Sequence, residues 1–297
     1  MYLLCPTKNL EATVGYITRM YDISFNDKML IIEGEGRRIG IVADIHIGVE
    51  YEYADKGIKI VFQYKKIAEN LFKDVVENSI DELILLGDVK HSVLGFRHFE
   101  AKMVHYVLSA LKDKTRVSLV PGNHDGGIEE ALPEEIELVS PRGKIVIDSK
   151  GNPISLIHGH AWPSPKLFSS EVVVVAHSHP TVELRDPTGY RVVEPIWIKA
   201  KILVEKLAES YLKYKGFKEV ENPIELFKEL YGFEPRTKHL VIIPAYNPLM
   251  GGIKVNRRDM GPQELIGVFL LNRVVDLDSA EIYLTDGTYL GELKYIV

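Results

Sequence analysis

"RVSLVPGNHD", residues 116–125, decides the fold. It opens with a short β-prone run, too brief for a buried helix and too continuous for a half-exposed hairpin, so it reads as an interior strand. Pro121 and Gly122 then make a sharp corner, because proline fixes its own φ and glycine permits angles that other residues resist. A turn alone has no need of an amide, an imidazole and a carboxylate in a row, yet Asn123, His124 and Asp125 follow. A corner of this kind aims side chains from the end of a strand.

Four further apolar runs stop at polar residues of the same types: "IGIVADIH" (39–46), "ELILLGD" (82–88), "PISLIHGH" (153–160) and "EVVVVAHSH" (171–179). Between the first three strands, residues 58–78 and 96–113 space their apolar side chains by three and four, as amphipathic helices do. The order βαβαβ implies a largely parallel sheet wrapped by helices. Ligands of such sheets collect outside the carboxyl ends of the strands, and all five polar clusters fall there. Asp44, His46, Asp88, Asn123, His124, Asp125, His158, His160, His177 and His179 are therefore expected to converge, with His91 three residues beyond Asp88. Six of the ten histidines stand in these clusters.

Carboxylate, imidazole and amide donors without a thiolate suit Mn²⁺, Fe, Zn²⁺, Ni²⁺ or Mg²⁺. The donors outnumber what one ion takes, whereas two ions about 3.5–4 Å apart that share a carboxylate would use them. Asp88, alone at its strand end, suits the bridge.

Composition narrows the setting. The chain of 297 residues is 46% hydrophobic, ample for a packed core, and its net charge of −6 gives no global attraction to nucleic acid or anionic membrane. The single cysteine, Cys5, is expected to pack as a small apolar residue, and the N-terminus lacks signal-peptide character. These features point to a cytoplasmic protein without a membrane span.

"DIH", "GD", "GNHD", "HGH" and "HSHP", in this order, resemble the calcineurin-like metallophosphoesterases over roughly residues 39–180. The resemblance implies a four-layer α/β/β/α sandwich and two divalent ions, with Mn²⁺ foremost. It places Asp44, His46, Asp88 and His179 on one ion and Asp88, Asn123, His158 and His177 on the other. It also makes His124 the group that contacts the scissile phosphate and protonates the leaving oxygen. The later "LVIIPAYNPLMGGIKVN" extends the likeness toward longer archaeal relatives of the bacterial ligase-associated DNA repair phosphoesterase. The implied activity is hydrolysis of a phosphoester, foremost a phosphodiester, by a metal-activated hydroxide, with nucleic acid as a candidate substrate and DNA repair proteins as candidate partners. A homo-oligomer stays open.

One departure stands out. Many members place an aspartate three residues after the bridging carboxylate to orient the catalytic histidine, and here that position is His91. Asp125 is a candidate substitute, or His91 itself touches the phosphate. His160 stands between a substrate contact and a buttress of its turn, and Lys90 and Arg97 are candidate phosphate-neutralising cations outside the family pattern. Residues 1–297 read as one domain, with a helical insertion over about 198–235 and strands over about 239–297 completing the second sheet. The lysines of 199–218 either contact polynucleotide phosphates or form a solvated helical face, and "YNPLMGG" (246–252) is a candidate for the rim of the site. The rival activities are a small-molecule or cyclic-nucleotide phosphodiesterase or phosphatase, and a non-catalytic metal-binding scaffold.

Overall fold

Ile39 and Ile41 face one side of their strand and Val42 the other, and all three are buried; Leu83, Ile84 and Leu85 alternate in the same way. Strands with two buried faces read as unbroken apolar runs because neither face meets water. The computed structural model, which describes residues 15–18, 21–34, 36–257 and 266–296, shows the two sheets that these runs build. Cys5 lies outside the described residues.

The first sheet has seven strands in chain order: β1 (Gly15–Thr18), β2 (Ile23–Asn26), β3 (Met29–Glu33), β4 (Arg38–Val42), β5 (Glu82–Leu85), β6 (Arg116–Leu119) and β7 (Glu137–Leu138). β1 to β4 pair antiparallel, and β4 to β7 parallel. The second sheet comprises β8 (Lys144–Ile147), β9 (Pro153–Leu156), β10 (Val172–Val175), β11 (Pro180–Arg185), β12 (Arg191–Ile202), β13 (His239–Ile242), β14 (Ile253–Lys254), β15 (Val275–Leu284) and β16 (Tyr289–Glu292). Here β9, β10 and β13 run parallel, while the long β12 pairs antiparallel with β11, β13 and β15. The helices are α1 (Glu50–Asp55), α2 (Tyr64–Glu77), α3 (Glu100–Lys112), α4 (Val204–Tyr214), α5 (Pro223–Tyr231) and α6 (Val268–Leu271).

Three apolar layers hold these elements together. Phe25, Ile39, Ile84, Ile154, Val174 and Trp197 fill the space between the sheets. Leu71 and Val75 of α2, with Val104 and Leu108 of α3, cover the outer face of the first sheet. Leu207 and Tyr211 of α4, with Phe227 of α5, cover the second. The result is an α/β/β/α sandwich. β4, β5 and β6 end in one sheet and β9 and β10 in the other, so their polar ends meet where the two sheets adjoin.

Three boundaries differ from the sequence reading. α2 starts at Tyr64 and not at 58: Ile58, Ile60 and Val61 are β-branched, and the N–H of Gln63 donates to the buried Glu50 carboxylate at 2.7 Å. α3 starts at Glu100, because Phe99 before it has φ +66°. Within the stretch expected to be a helical insertion from about 198, residues up to Ile202 are strand. Ile196, Ile198, Ala200 and Ile202 are buried at every second position, a period of two that the following helical pattern masks. Three of the six lysines of 199–218 are engaged within the protein: Lys199 pairs with Glu281 at 2.9 Å, Lys213 pairs with Glu209, and the Lys215 ammonium lies over the Tyr211 and Tyr214 rings.

Candidate metal centre

The loops after β4, β5 and β10 hold their polar residues in an uncommon backbone state. Asp44, His46, Asp88, His177 and His179 have φ of +56°, +44°, +54°, +70° and +42°. Left-handed conformations cost L-residues roughly 1–3 kcal/mol each and persist where surrounding structure enforces them. Close approach also demands glycine at two corners. A Cβ at Gly87 would lie 2.3 Å from His158 Nδ1, and one at Gly122 would lie 2.1 Å from Asp88 Oδ1. This is the physical reason for the Pro-Gly corner in the opening stretch: it lets the 121–125 loop pass against the Asp88 carboxylate.

Two trios result. One ligand atom from each of Asp44, His46 and His179 lies within 4.8 Å of the others, and the same holds for Asp88, His158 and His177. Asp88 Oδ2 lies 3.6 Å from His46 Nε2 and 3.2 Å from His158 Nε2, and so faces both trios. Asn123 is exposed on the adjoining corner.

The imidazoles are oriented from behind. His158 Nδ1 lies 2.9 Å from the Leu86 carbonyl and His179 Nδ1 lies 3.2 Å from the Gly251 carbonyl. A carbonyl only accepts, so each Nδ1 carries hydrogen and each Nε2 faces the carboxylates. Asp44 Oδ2 accepts the His177 N–H at 3.1 Å. Asp44 Oδ1 and His158 Nε2 are buried and make no well-directed hydrogen bond, although His179 Nε2 and Asp88 Oδ2 respectively stand 3.2 Å away. Buried polar atoms left without a hydrogen bond beside one another suit donors to a shared cation. Buried carboxylates and imidazoles with outward N–H groups fixed fit divalent ions.

Electrostatics follow the same division. Burial pushes His46 down to about 3 and His177 down to about 4, which keeps both neutral. Burial opposes charge on His158 too, but the Asp88 and Asp44 carboxylates outweigh it and push this imidazole up to about 9. Burial would raise Asp88, yet the His158 and His46 imidazoles and the His124 N–H hold it well below the usual carboxylate range.

His124 sits at the edge of this cluster. Its backbone N–H donates to Asp88 Oδ1 at 2.9 Å, its Nε2 lies 3.9 Å from Asp88 Oδ2, and its Nδ1 meets the main-chain carbonyl of His91. Asp125 does not orient it. The Asp125 carboxylate accepts the N–H groups of Asp88, Val89, Lys90 and Gly122 at 2.7–3.3 Å, clamping the two ligand loops together. The His91 side chain reaches His46 and Glu52, and burial lowers its pKa. His160 lies beside His158 and His177 at ring distances of 5.5 and 6.1 Å, with a buried Nδ1 that has no hydrogen-bond partner.

The two candidate cations are engaged elsewhere. Lys90 is fully buried and its ammonium binds the carbonyls of Ser92 and Gly95. Arg97 forms a two-pronged ion pair with Asp55 over the Tyr51 ring. Neither belongs to the cluster, because Lys90 is held by carbonyls of its own loop and Arg97 by Asp55 of α1.

Sequence reasoning passes over three supports. Glu100, fully buried, accepts the N–H groups of His91, Ser92 and Arg97. Asn247 donates from its amide to the Ile45 carbonyl at 2.8 Å, so the "YNPLMGG" loop braces the Asp44–His46 turn. Glu52 meets His91. Only folding brings these partners together, and a local motif carries no signal for them.

The fold and the site together define a metal-binding phosphoesterase. The profile of the calcineurin-like phosphoesterases matches residues 37–237, and the chain belongs to that family of phosphoester hydrolases. Among solved structures it is similar to the Pseudomonas putida nuclease MPE, with 18% identity over 93% of this chain and 98% of that one and a TM-score of 0.51. It is also similar to Yfce, a phosphoesterase from E. coli, with 20% identity over 50% of this chain and 73% of that one and a TM-score of 0.32. No curated protein matches the chain. Among the described residues no helix is long and apolar enough to cross a membrane.

Proposed function

We propose that this phosphoester hydrolase cleaves phosphodiesters with two divalent ions, Mn²⁺ foremost, and that nucleic acid in a repair setting is its substrate. The observation that carries the reading is the position of Asp88, whose carboxylate faces both ligand trios while its other oxygen receives the His124 N–H. Asp44, His46, Asp88 and His179 would hold one ion; Asp88, Asn123, His158 and His177 would hold the other. Ions held there would supply Lewis acidity and a source of nucleophile at neutral pH. The chain's own part is positional and acid–base. His124 keeps Nδ1–H on the His91 carbonyl, so in its doubly protonated form the second proton, on Nε2, would pass to the departing oxygen and leave the neutral Nδ1–H ring behind. Asp125 keeps the Asp88 and His124 loops in register for that transfer.

The nucleic-acid element draws support from likeness to a nuclease along nearly the whole chain. A small diester is the second reading. It is favoured by the net charge of −6 and by the pairing of Lys90, Arg97 and Lys199 within the protein. Metal-stripped protein resupplied with Mn²⁺ and offered an oligonucleotide, a cyclic dinucleotide, a nitrophenyl diester and a nitrophenyl monoester separates the readings. Oligonucleotide cleavage with little monoester turnover is expected; monoester turnover exceeding every diester would reject the proposal.

A further inference from the structure

His158 and His179 give their outer N–H to carbonyl oxygens, which can only accept. His46 is different. Its Nδ1 faces another imidazole nitrogen, His91 Nδ1, at 3.3 Å. Two facing ring nitrogens bond through one proton, and either ring could own it. If His91 donates, His46 carries its proton on Nε2, the nitrogen turned toward Asp44 and Asp88, and cannot bind a cation there. If His46 donates, Nε2 is bare.

The far side of His91 decides the matter. His91 Nε2 lies 2.9 Å from Glu52 Oε2. An ionised carboxylate only accepts, so Nε2 of His91 bears hydrogen, and in the neutral ring Nδ1 is then an acceptor. His46 must therefore donate from Nδ1. Its bare Nε2 faces Asp88 Oδ2 at 3.6 Å, Asp44 Oδ1 at 4.0 Å and His179 Nε2 at 3.4 Å. Glu52 is steadied for this by Lys56, one helical turn on, which binds its other oxygen at 2.5 Å.

We propose that Glu52 and His91 form a proton-ordered relay, Glu52 to His91 to His46, that holds His46 in the tautomer able to ligate metal. The proposal rests on reading the cluster as a metal centre. Glu52 and the His91 side chain are positioning residues, and His91 serves twice, since its main-chain carbonyl also fixes His124. An imidazole in place of an aspartate is thus accommodated by recruiting a carboxylate from α1 behind it.

The test combines ¹⁵N imidazole spectra of the metal-free full chain with Mn²⁺ titration. In the wild-type protein His46 is expected as the Nδ1–H form and His91 as the Nε2–H form. His91→Ala should mix the His46 tautomers and weaken binding of one Mn²⁺ by roughly 10–100-fold, the usual size of such an outer-partner loss. Glu52→Ala, at a half-exposed position, should weaken the same ion while the metal-free melting temperature stays put. The double variant should bind no more weakly than His91→Ala, because Glu52 acts only through His91. A wild-type His46 carrying hydrogen on Nε2, or losses that add in the double variant, would overturn the relay. Wild-type protein that binds no divalent ion would instead defeat the functional reading, with the relay still judged by the metal-free spectra.

Discussion

The Nδ1–H of His124 donates to the main-chain carbonyl of His91. A carbonyl fixes which nitrogen carries hydrogen as firmly as a carboxylate does, though it adds no full negative charge beside the ring. With Nδ1–H held there, the doubly protonated ring of His124 presents its second proton on Nε2, the one it would donate. Replacing it by Ala or Asn should leave metal binding intact and lower turnover of a nucleotide diester by roughly 10²–10⁴-fold, while a nitrophenyl diester, whose leaving group needs no proton, loses far less. Initial rates at saturating Mn²⁺ make the comparison; equal losses would assign His124 to phosphate binding.

Asp125 clamps four backbone N–H groups from two loops. Asp125→Ala strips these buried donors of their acceptor and should destabilise the protein by on the order of 3 kcal/mol. Thermal melts of the metal-free variant are expected to show a clear drop and Mn²⁺ titration a weakened site, whereas His124→Ala should show neither. An Asp125→Ala protein that melts like the wild type would mean that the loops are held by something else.

Metal uptake should depend on pH through His158. Its imidazole, raised to about 9 beside Asp88 and Asp44, is protonated in the metal-free protein at neutral pH and must lose that proton to ligate. Affinity should rise about tenfold per pH unit for the proton that His158 gives up, levelling off above about pH 9, and more steeply at the acidic end, where His179, raised against burial by the Asp44 carboxylate, gives up its own. His46 and His177, already neutral, add no slope in that range. Calorimetry in buffers of different ionisation enthalpy counts the protons released; a count of zero at pH 7 would contradict the assignment.

Backbone strain gives a further expectation. His177 has φ +70°, which glycine tolerates and alanine does not. Metal-free His177→Gly should be more stable than His177→Ala by ~1 kcal/mol, the reverse of the order at an ordinary extended position. Urea unfolding of the two metal-free variants checks the sign.

Much of this organisation was legible in the chain, for a definite reason. Strands buried on both faces leave unbroken runs such as Val172–Val175, and residues just past the strand ends, such as Asp44, Asp88, His158 and His177, gather the polar groups into one cluster beyond the apolar runs, where most of them are buried against one another. β12 was hidden because Ile196, Ile198, Ala200 and Ile202 lead without a breaker into α4, so the helical period overran the strand. Lys90 and Arg97 show the limit of reading charge along the chain, since nothing local to Lys90 announces that it will be fully buried under two carbonyls. Glu52, Glu100 and Asn247 act through contacts across 9 to 202 positions. Such supports follow from tertiary placement, which no short motif records.

The central claim is a two-ion phosphodiesterase built around Asp88. Titrating metal-stripped protein with Mn²⁺ while following both bound metal and diester turnover tests it most directly. The account predicts full activity at two ions per chain, and in Asp88→Asn a loss of both ions together with turnover. Saturation of activity at a single ion, with Asp88→Asn still binding and turning over as the wild type does, would contradict it.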